Sequence, residues 1–243
     1  GQIFLNTQSW AVISRSADRP RATACMRSAL ERLNTPHGLM LLAPPYRKYS
    51  AAIGGCTTYP PGAKENGGVF VQTNPWAIIA AAMMGDGELA WRLYDQIMPA
   101  NHLHDVNVFQ AEPYVFCQNI LGTPHPLYGL GRNSWLTGTS AWAFVAATQY
   151  ILGIRPGYDR LIIDPCIPPH WPGFKAVRHF RGAAYEIEVL NPERVSHGVK
   201  SIKVDGQIVD HIAAAACTAA ACNTDAHVRV RQVTITMGSE VEQ

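Results

Sequence analysis

Residues 59–68 read Tyr-Pro-Pro-Gly-Ala-Lys-Glu-Asn-Gly-Gly, and residues 133–140 read Asn-Ser-Trp-Leu-Thr-Gly-Thr-Ser. Each run mixes glycines with a few polar groups and aromatics. That composition lets a backbone come close to a small polar ligand and still hold its shape.

Outward from these runs the chain shows two regimes, with the change near Gly153 to Tyr158. Helical signals dominate before it. Pro20 to Asn34 sets Ala24, Met26, Leu30 and Leu33 at roughly helical spacing behind an early proline. Asn74-Pro-Trp predicts an N-cap and a proline in the first turn, followed by an apolar run to Met84 stopped at Gly85. Gly87 to Met98 reads as amphipathic, with Leu89, Leu93 and Ile97 along one face. Thr139 to Leu152 is nearly all apolar or small and predicts a buried helix ending at Gly153. Long loops rich in Gly, Pro, Asn and His separate these helices, and loops of that length inside a domain are usually functional.

After Pro156 the period shortens to two. Residues 160–164, 176–181, 184–189, 199–204 and 227–235 all predict strands, and Asp205-Gly206 is a hairpin turn signal. Short strands at regular spacing point to an antiparallel sandwich. Ala213 to Thr224, alanine-rich with two cysteines, reads as an irregular loop or short helix.

The two quoted runs together resemble the signature segments of the inverting disaccharide phosphorylases, the cellobiose, cellobionic acid and chitobiose phosphorylases of glycoside hydrolase family 94. The resemblance extends from Gln2 to about Asp210. It implies an α+β fold: the second half of an (α/α)6 barrel over residues 1–157, then a C-terminal antiparallel β-sandwich over residues 158–243. It also implies phosphorolysis of a β-linked glucosyl disaccharide, cellobiose- or cellobionate-like, to α-glucose 1-phosphate with inversion. Inverting displacement by phosphate needs one protein acid to protonate the departing oxygen, because the nucleophile is already an anion. The resemblance places that acid, an Asp, upstream of residue 1 and so assigns no catalytic acid within this sequence.

What phosphate does need is a cradle of donors. Thr137, Gly138 and Thr139 precede a predicted helix, where free N–H groups can face an anion; helix capping by the two threonines is the bland alternative. The resemblance makes Thr137 and Gly138 phosphate ligands. It also makes Gln72 one, at a position where the family usually carries a His; Gln keeps a donor but cannot become cationic. The resemblance implies substrate-binding roles for Tyr59, Lys64, Glu65 and Gln118. A loop-packing Tyr, a surface ion pair and a satisfied buried amide are the ordinary readings of those residue types. Glu112, before Pro113-Tyr114, reads as a residue that orients loops or sugar hydroxyls.

His102, His104 and Asp105 form the one cluster with metal-ligand chemistry on paper, and without a further ligand set no metal is expected. No cofactor is expected beyond inorganic phosphate as co-substrate. With 47% hydrophobic and 16% charged residues the composition is globular, and a net charge of +2 gives no pull toward nucleic acid or anionic membrane. No run of about 18 apolar residues predicts a spanning helix. The six cysteines are widely spread with no Cys-x-x-Cys pair, which favours free thiols. The opening Gly-Gln-Ile-Phe has neither a secretory pattern nor an initiator Met, so a fragment or processed chain and a cytoplasmic location are the expectations. The family often forms dimers, so a homodimer is the expected assembly. A non-catalytic carbohydrate-binding module derived from such an enzyme is the second reading.

Overall fold

The structure is a computed structural model, and it describes residues 1–136, 138–214 and 229–239. The chain divides into two compact units, Gly1–Met84 with Leu89–Ala147 and Gly85–Glu88 with Thr148–Gln243.

The first unit is mainly helical. It holds α1 (Leu5–Ile13), α2 (Arg19–Leu33), α3 (Asn74–Met83), most of α4 (Gly87–Ile97), the single turn α5 (Val106–Phe109) and α6 (Thr139–Val145). Helix α2 starts where Asp18 accepts a 2.9 Å hydrogen bond from the Arg21 N–H, with Pro20 in the first turn. Its buried stripe is Ala22, Met26, Ala29 and Leu33, so the core face is turned from the predicted one and Ala24 and Leu30 sit at its edge. Helix α3 is apolar on nearly every side and buried from Ala77 to Ala82. Three tryptophans join the helices edge to face: Trp10 of α1 meets Trp76 of α3 at 5.5 Å, and Trp76 meets Trp142 of α6 at 5.7 Å.

Two expectations for these helices change. Asn74 does not cap α3; it is the first helical residue, and its buried amide is used elsewhere. Its Oδ1 accepts from the Leu39 N–H at 2.7 Å, and its Nδ2 donates to the Leu39 carbonyl at 3.1 Å. The side chain thus ties α3 to strand Gly38–Leu39, a pairing made far along the chain that no local pattern encodes. The predicted helix after Gly138 is α-helical only over Thr139–Val145 and turns π-helical over Ala146–Ile151. Nor is it buried throughout, since Phe144 is 61% exposed.

Seven short strands lie in the first unit: β1 (Ile3–Phe4), β2 (Asn34–Thr35), β3 (Gly38–Leu39), β4 (Leu42–Ala43), β5 (Val69–Phe70), β6 (Cys117–Ile120) and β7 (Gly131–Ser134). The last three form an antiparallel sheet in the order β5-β6-β7, which pairs Phe70 with Asn119 and Asn119 with Arg132. This small sheet joins the segments that flank the two signature runs.

The second unit carries β8 (Ile154–Pro156), β9 (Arg160–Ile163), β10 (Gly173–Phe180), β11 (Ala183–Leu190), β12 (Val199–Val204), β13 (Gln207–Val209), β14 (Ile212–Ala213) and β15 (Arg229–Met237). They form a three-stranded sheet, β14-β9-β8, and a five-stranded sheet, β10-β11-β15-β12-β13. The larger sheet is not antiparallel throughout: β11 and β15 run parallel, with Tyr185 opposite Arg231 and Ile187 opposite Val233. A parallel pair requires a long crossover, and period-two alternation is identical for both directions, so the sequence pattern cannot report it. Tyr185, Ile187, Val189, Val233, Ile235 and Met237 are all buried, each aliphatic stabilising the fold by roughly 1.5–3 kcal/mol. The β12–β13 turn is Asp205-Gly206, both with positive φ (50° and 84°), as a two-residue hairpin of this kind demands. Most of the Ala/Cys-rich segment, from residue 215, lies outside the described residues.

Candidate functional site

The loop from Tyr59 to Gly68 is shaped by Asn66. Its side chain is fully buried and makes three hydrogen bonds: Oδ1 accepts from the Tyr46 N–H at 2.7 Å, and Nδ2 donates to the carbonyls of Tyr46 at 2.8 Å and Tyr59 at 2.7 Å. A turn closes around it through Gly62 N–H to Asn66 carbonyl, 2.8 Å, and Gly68 N–H to Lys64 carbonyl, 3.1 Å. A Cβ on Gly68 would lie 2.7 Å from that same carbonyl, so the second glycine of the pair is needed for close approach. Lys64 sits in the left-handed region at φ 47° and its N–H reaches the Asn119 Oδ1 at 3.3 Å. A lysine held there is costly unless surroundings impose it. The outcome is that its ammonium lies over the Tyr59 ring, 5.3 Å from the centroid.

Tyr59 and Lys64 therefore face one pocket of about 320 Å³. Its other polar walls come from Asn119 of β6, Arg132 and Asn133 of β7, and His125 in the loop between these strands. Pro60, Ala63, Leu121 and Leu127 complete the lining. Asn133 opens the second signature run, whereas Asn119, His125 and Arg132 escape sequence reading because each is an ordinary loop or strand residue until β6–β7 pairing delivers it. For these three the one available signal was the adjacency of Arg132 to that run.

Gln72 and Gly138 meet at a second place. A Cβ on Gly138 would lie 3.1 Å from Gln72 Oε1 and 3.3 Å from its Nε2. Residues 71–73 form a 3-10 turn ahead of α3, which presents Gln72 to the start of α6. Thr137 lies outside the described residues, so its expected role has no geometry here. Thr139 is fully buried in the first turn of α6.

Glu65 and Gln118 do not line the Tyr59–Lys64 pocket. Gln118 follows Cys117 and precedes the buried Asn119 on β6, so alternation turns it to the other face. Glu65 Oε2 and Gln118 Oε1 are both buried oxygens with no hydrogen-bond partner among the described residues. Buried acceptors without a partner are uncommon in folded proteins. Glu65 also lies near Cys56, whose thiol is pushed up first by burial and then by the Glu65 charge.

Glu112 accepts a 3.1 Å hydrogen bond from Trp135 Nε1. Hydrogen bonds from the Ser134 hydroxyl, its own backbone and Trp135 hold its carboxyl below the usual carboxylate range. A general acid needs the opposite shift, so Glu112 braces the 133–136 loop. His102 stacks on Phe109 at 4.3 Å as a packed ring. Among the described residues no group of three or more His, Cys, Asp or Glu side chains could hold a metal ion. No helix among them is long and apolar enough to cross a membrane.

Residues 1–153 match the catalytic domain of the glycosyl hydrolase 94 superfamily, and the chain belongs to that family. The N,N'-diacetylchitobiose phosphorylase of Vibrio furnissii is 43% identical over 212 residues, covering 87% of this chain and 26% of that protein. The solabiose phosphorylase of Paenibacillus borealis is 37% identical over 207 residues, 85% of this chain and 27% of that protein. The 3-O-beta-D-glucopyranosyl-beta-D-glucuronide phosphorylase of the same organism is 34% identical over 208 residues, with coverages of 85% and 27%. The chain thus spans about a quarter of the length of these relatives.

Proposed function

We propose that the protein is a glycoside phosphorylase that cleaves a β-linked glucosyl disaccharide with inorganic phosphate, giving α-glucose 1-phosphate with inversion. The observation that carries this reading is the meeting of Gln72 with Gly138, in the same family-matched unit as the Tyr59–Lys64 pocket. In it, the Gln72 amide and the Gly138–Thr139 backbone, with Thr137, hold phosphate, while Tyr59, Lys64, Glu65 and Gln118 hold sugar. The family relationship supports phosphorolysis of a disaccharide. A cellobiose- or cellobionate-like substrate is the finer assignment, and the named relatives differ in their second sugar.

The chemistry follows from the charge change. Phosphate attacks the anomeric carbon while an acid protonates the departing oxygen. Neutral donors such as Gln72 and backbone N–H groups hold the anion without a counter-charge that would blunt its nucleophilicity. The acid is assigned to an Asp upstream of residue 1. In this reading the helical portion is the second half of an (α/α)6 barrel and the strand-rich portion the sandwich, in a cytoplasmic and dimeric enzyme.

The test is phosphate release from α-glucose 1-phosphate by the full-length protein with glucose, gluconate, glucuronate and N-acetylglucosamine as acceptors. Release with one acceptor, lost in Thr137→Ala, supports the reading. Sugar binding with no release for any acceptor establishes the non-catalytic module instead.

A further inference from the structure

Strand β7 ends at Ser134, whose pairing with Cys117 closes its ladder with β6. The chain then runs to Gly138, against which the Gln72 amide lies. It leaves the strand through two left-handed residues on either side of Ser134, Asn133 at φ 54° and Trp135 at φ 69°. Asn tolerates that region, but a bulky aromatic enters it only when its surroundings impose it. Burial does not impose it here, since Trp135 is 67% exposed. A tether does. Glu112 accepts from Trp135 Nε1 at 3.1 Å and from the Ser134 hydroxyl. Tyr114, two residues beyond Glu112, meets the indole edge to face at 6.3 Å. A carboxylate that accepts two such bonds anchors a loop well, because charge-assisted hydrogen bonds are roughly twice as strong as neutral ones.

We propose that Glu112 is a positioning residue for the phosphate site: by fixing Ser134 and Trp135 it sets the path of the chain into Gly138, and so the place where Gly138 and Gln72 meet. The inference rests on the phosphorylase reading for the identity of the anion. Its sign separates it from an electrostatic role. A carboxylate acting through its charge repels phosphate, so its removal would tighten binding. Acting through the loop, its removal loosens the site and weakens binding.

Calorimetric titration of the full-length protein with inorganic phosphate and, separately, with glucose tests it without turnover, alongside melting curves. Glu112→Ala is expected to weaken phosphate about tenfold, equivalent to one lost hydrogen bond to a charged group, while glucose affinity and melting temperature hold. Glu112→Gln keeps an oxygen for the indole N–H and should recover most of the loss. Trp135→Phe keeps a ring but removes that N–H; it should weaken phosphate severalfold and add little to Glu112→Ala in the double variant, because both act on one contact. Phosphate binding unmoved or tightened in Glu112→Ala overturns the proposal. So does an equal weakening of glucose with a fall in melting temperature, which marks a structural brace alone. If Glu112→Ala does not fold, Trp135→Phe decides, and phosphate affinity unmoved there overturns the proposal too. No phosphate binding by the unsubstituted protein overturns both this inference and the phosphorylase reading. Phosphate binding that depends on Glu112, with no phosphate release from α-glucose 1-phosphate, would sink the phosphorylase reading and leave the positioning role standing.

Discussion

The side-chain amide of Gln72 lies against the α-carbon of Gly138, so close that one added methyl would touch it at 3.1 Å. Gly138 has an ordinary φ of −83°, and alanine there brings no backbone strain. Only the far end of a flexible side chain must give way. Gly138→Ala is therefore expected to displace the Gln72 amide while leaving thermal stability nearly unchanged. The KM for phosphate should rise about tenfold, the equivalent of one lost hydrogen bond, with a similar rise in Gln72→Ala. Phosphate kinetics and melting curves check it; a collapse of stability with unchanged KM would contradict it.

Asn66 holds the first signature loop through three buried hydrogen bonds to backbone. Asn66→Ala leaves two carbonyls and one N–H without those partners. Roughly 2–4 kcal/mol of stability should be lost, given about 1 kcal/mol or more for each such group. Urea unfolding checks this. Asp at the same position keeps the acceptor but removes both donors and should recover less than half of the loss.

Asp205 gives the hairpin a pH dependence. Its carboxylate accepts from the Gln232 N–H at 2.9 Å and from Arg231 Nε at 2.5 Å, and these hold it below the usual carboxylate range, the backbone hydrogen bond most. A lowered folded-state value means the stabilisation is present above the unfolded carboxylate value and is lost as pH falls through the folded one. Melting temperature is expected to drop in acid, and Asp205→Asn should flatten that part of the profile. Asn tolerates the positive φ of 50° here, so the variant isolates the charge.

The buried thiols should be inert. Burial, with the Glu112 charge adding to it, pushes Cys117 up to about 11. Burial pushes Cys166 up to about 12, helped by Asp86 and Asp164. Almost no thiolate exists at either site at pH 8, whereas Cys25 is only half-buried. Iodoacetamide at pH 8 should label Cys25 well before Cys117 and Cys166, read by mass spectrometry, until denaturant equalises them.

The sequence made much of this visible, and its gaps have physical causes. Helix α2, the apolar α3 and the Asp205-Gly206 hairpin were legible because their signals are local. Asn74 was misread as a cap because its true partners on β3 lie 35 residues away. The parallel pairing of β11 with β15 was invisible since alternation carries no direction. In the site, Tyr59 and Lys64 stood inside a conspicuous motif, but Asn119, His125 and Arg132 reach the pocket only through strand pairing. Thr137, expected at the phosphate cradle, lies outside the described residues.

Strand β15 is the last of the described strands and yet the middle one of its sheet, with β10 and β11 on one side and β12 and β13 on the other. On the ribosome, the two earlier hairpins emerge with no shared neighbour and must wait unjoined until Met237 has cleared the exit tunnel. Both would expose a raw strand edge for that interval, and such edges invite pairing with other chains. A stop codon or frameshift shortly before Arg229 would leave two half-sheets and no way to join them. Nascent-chain quality control, rather than catalysis, would feel the loss of this strand first.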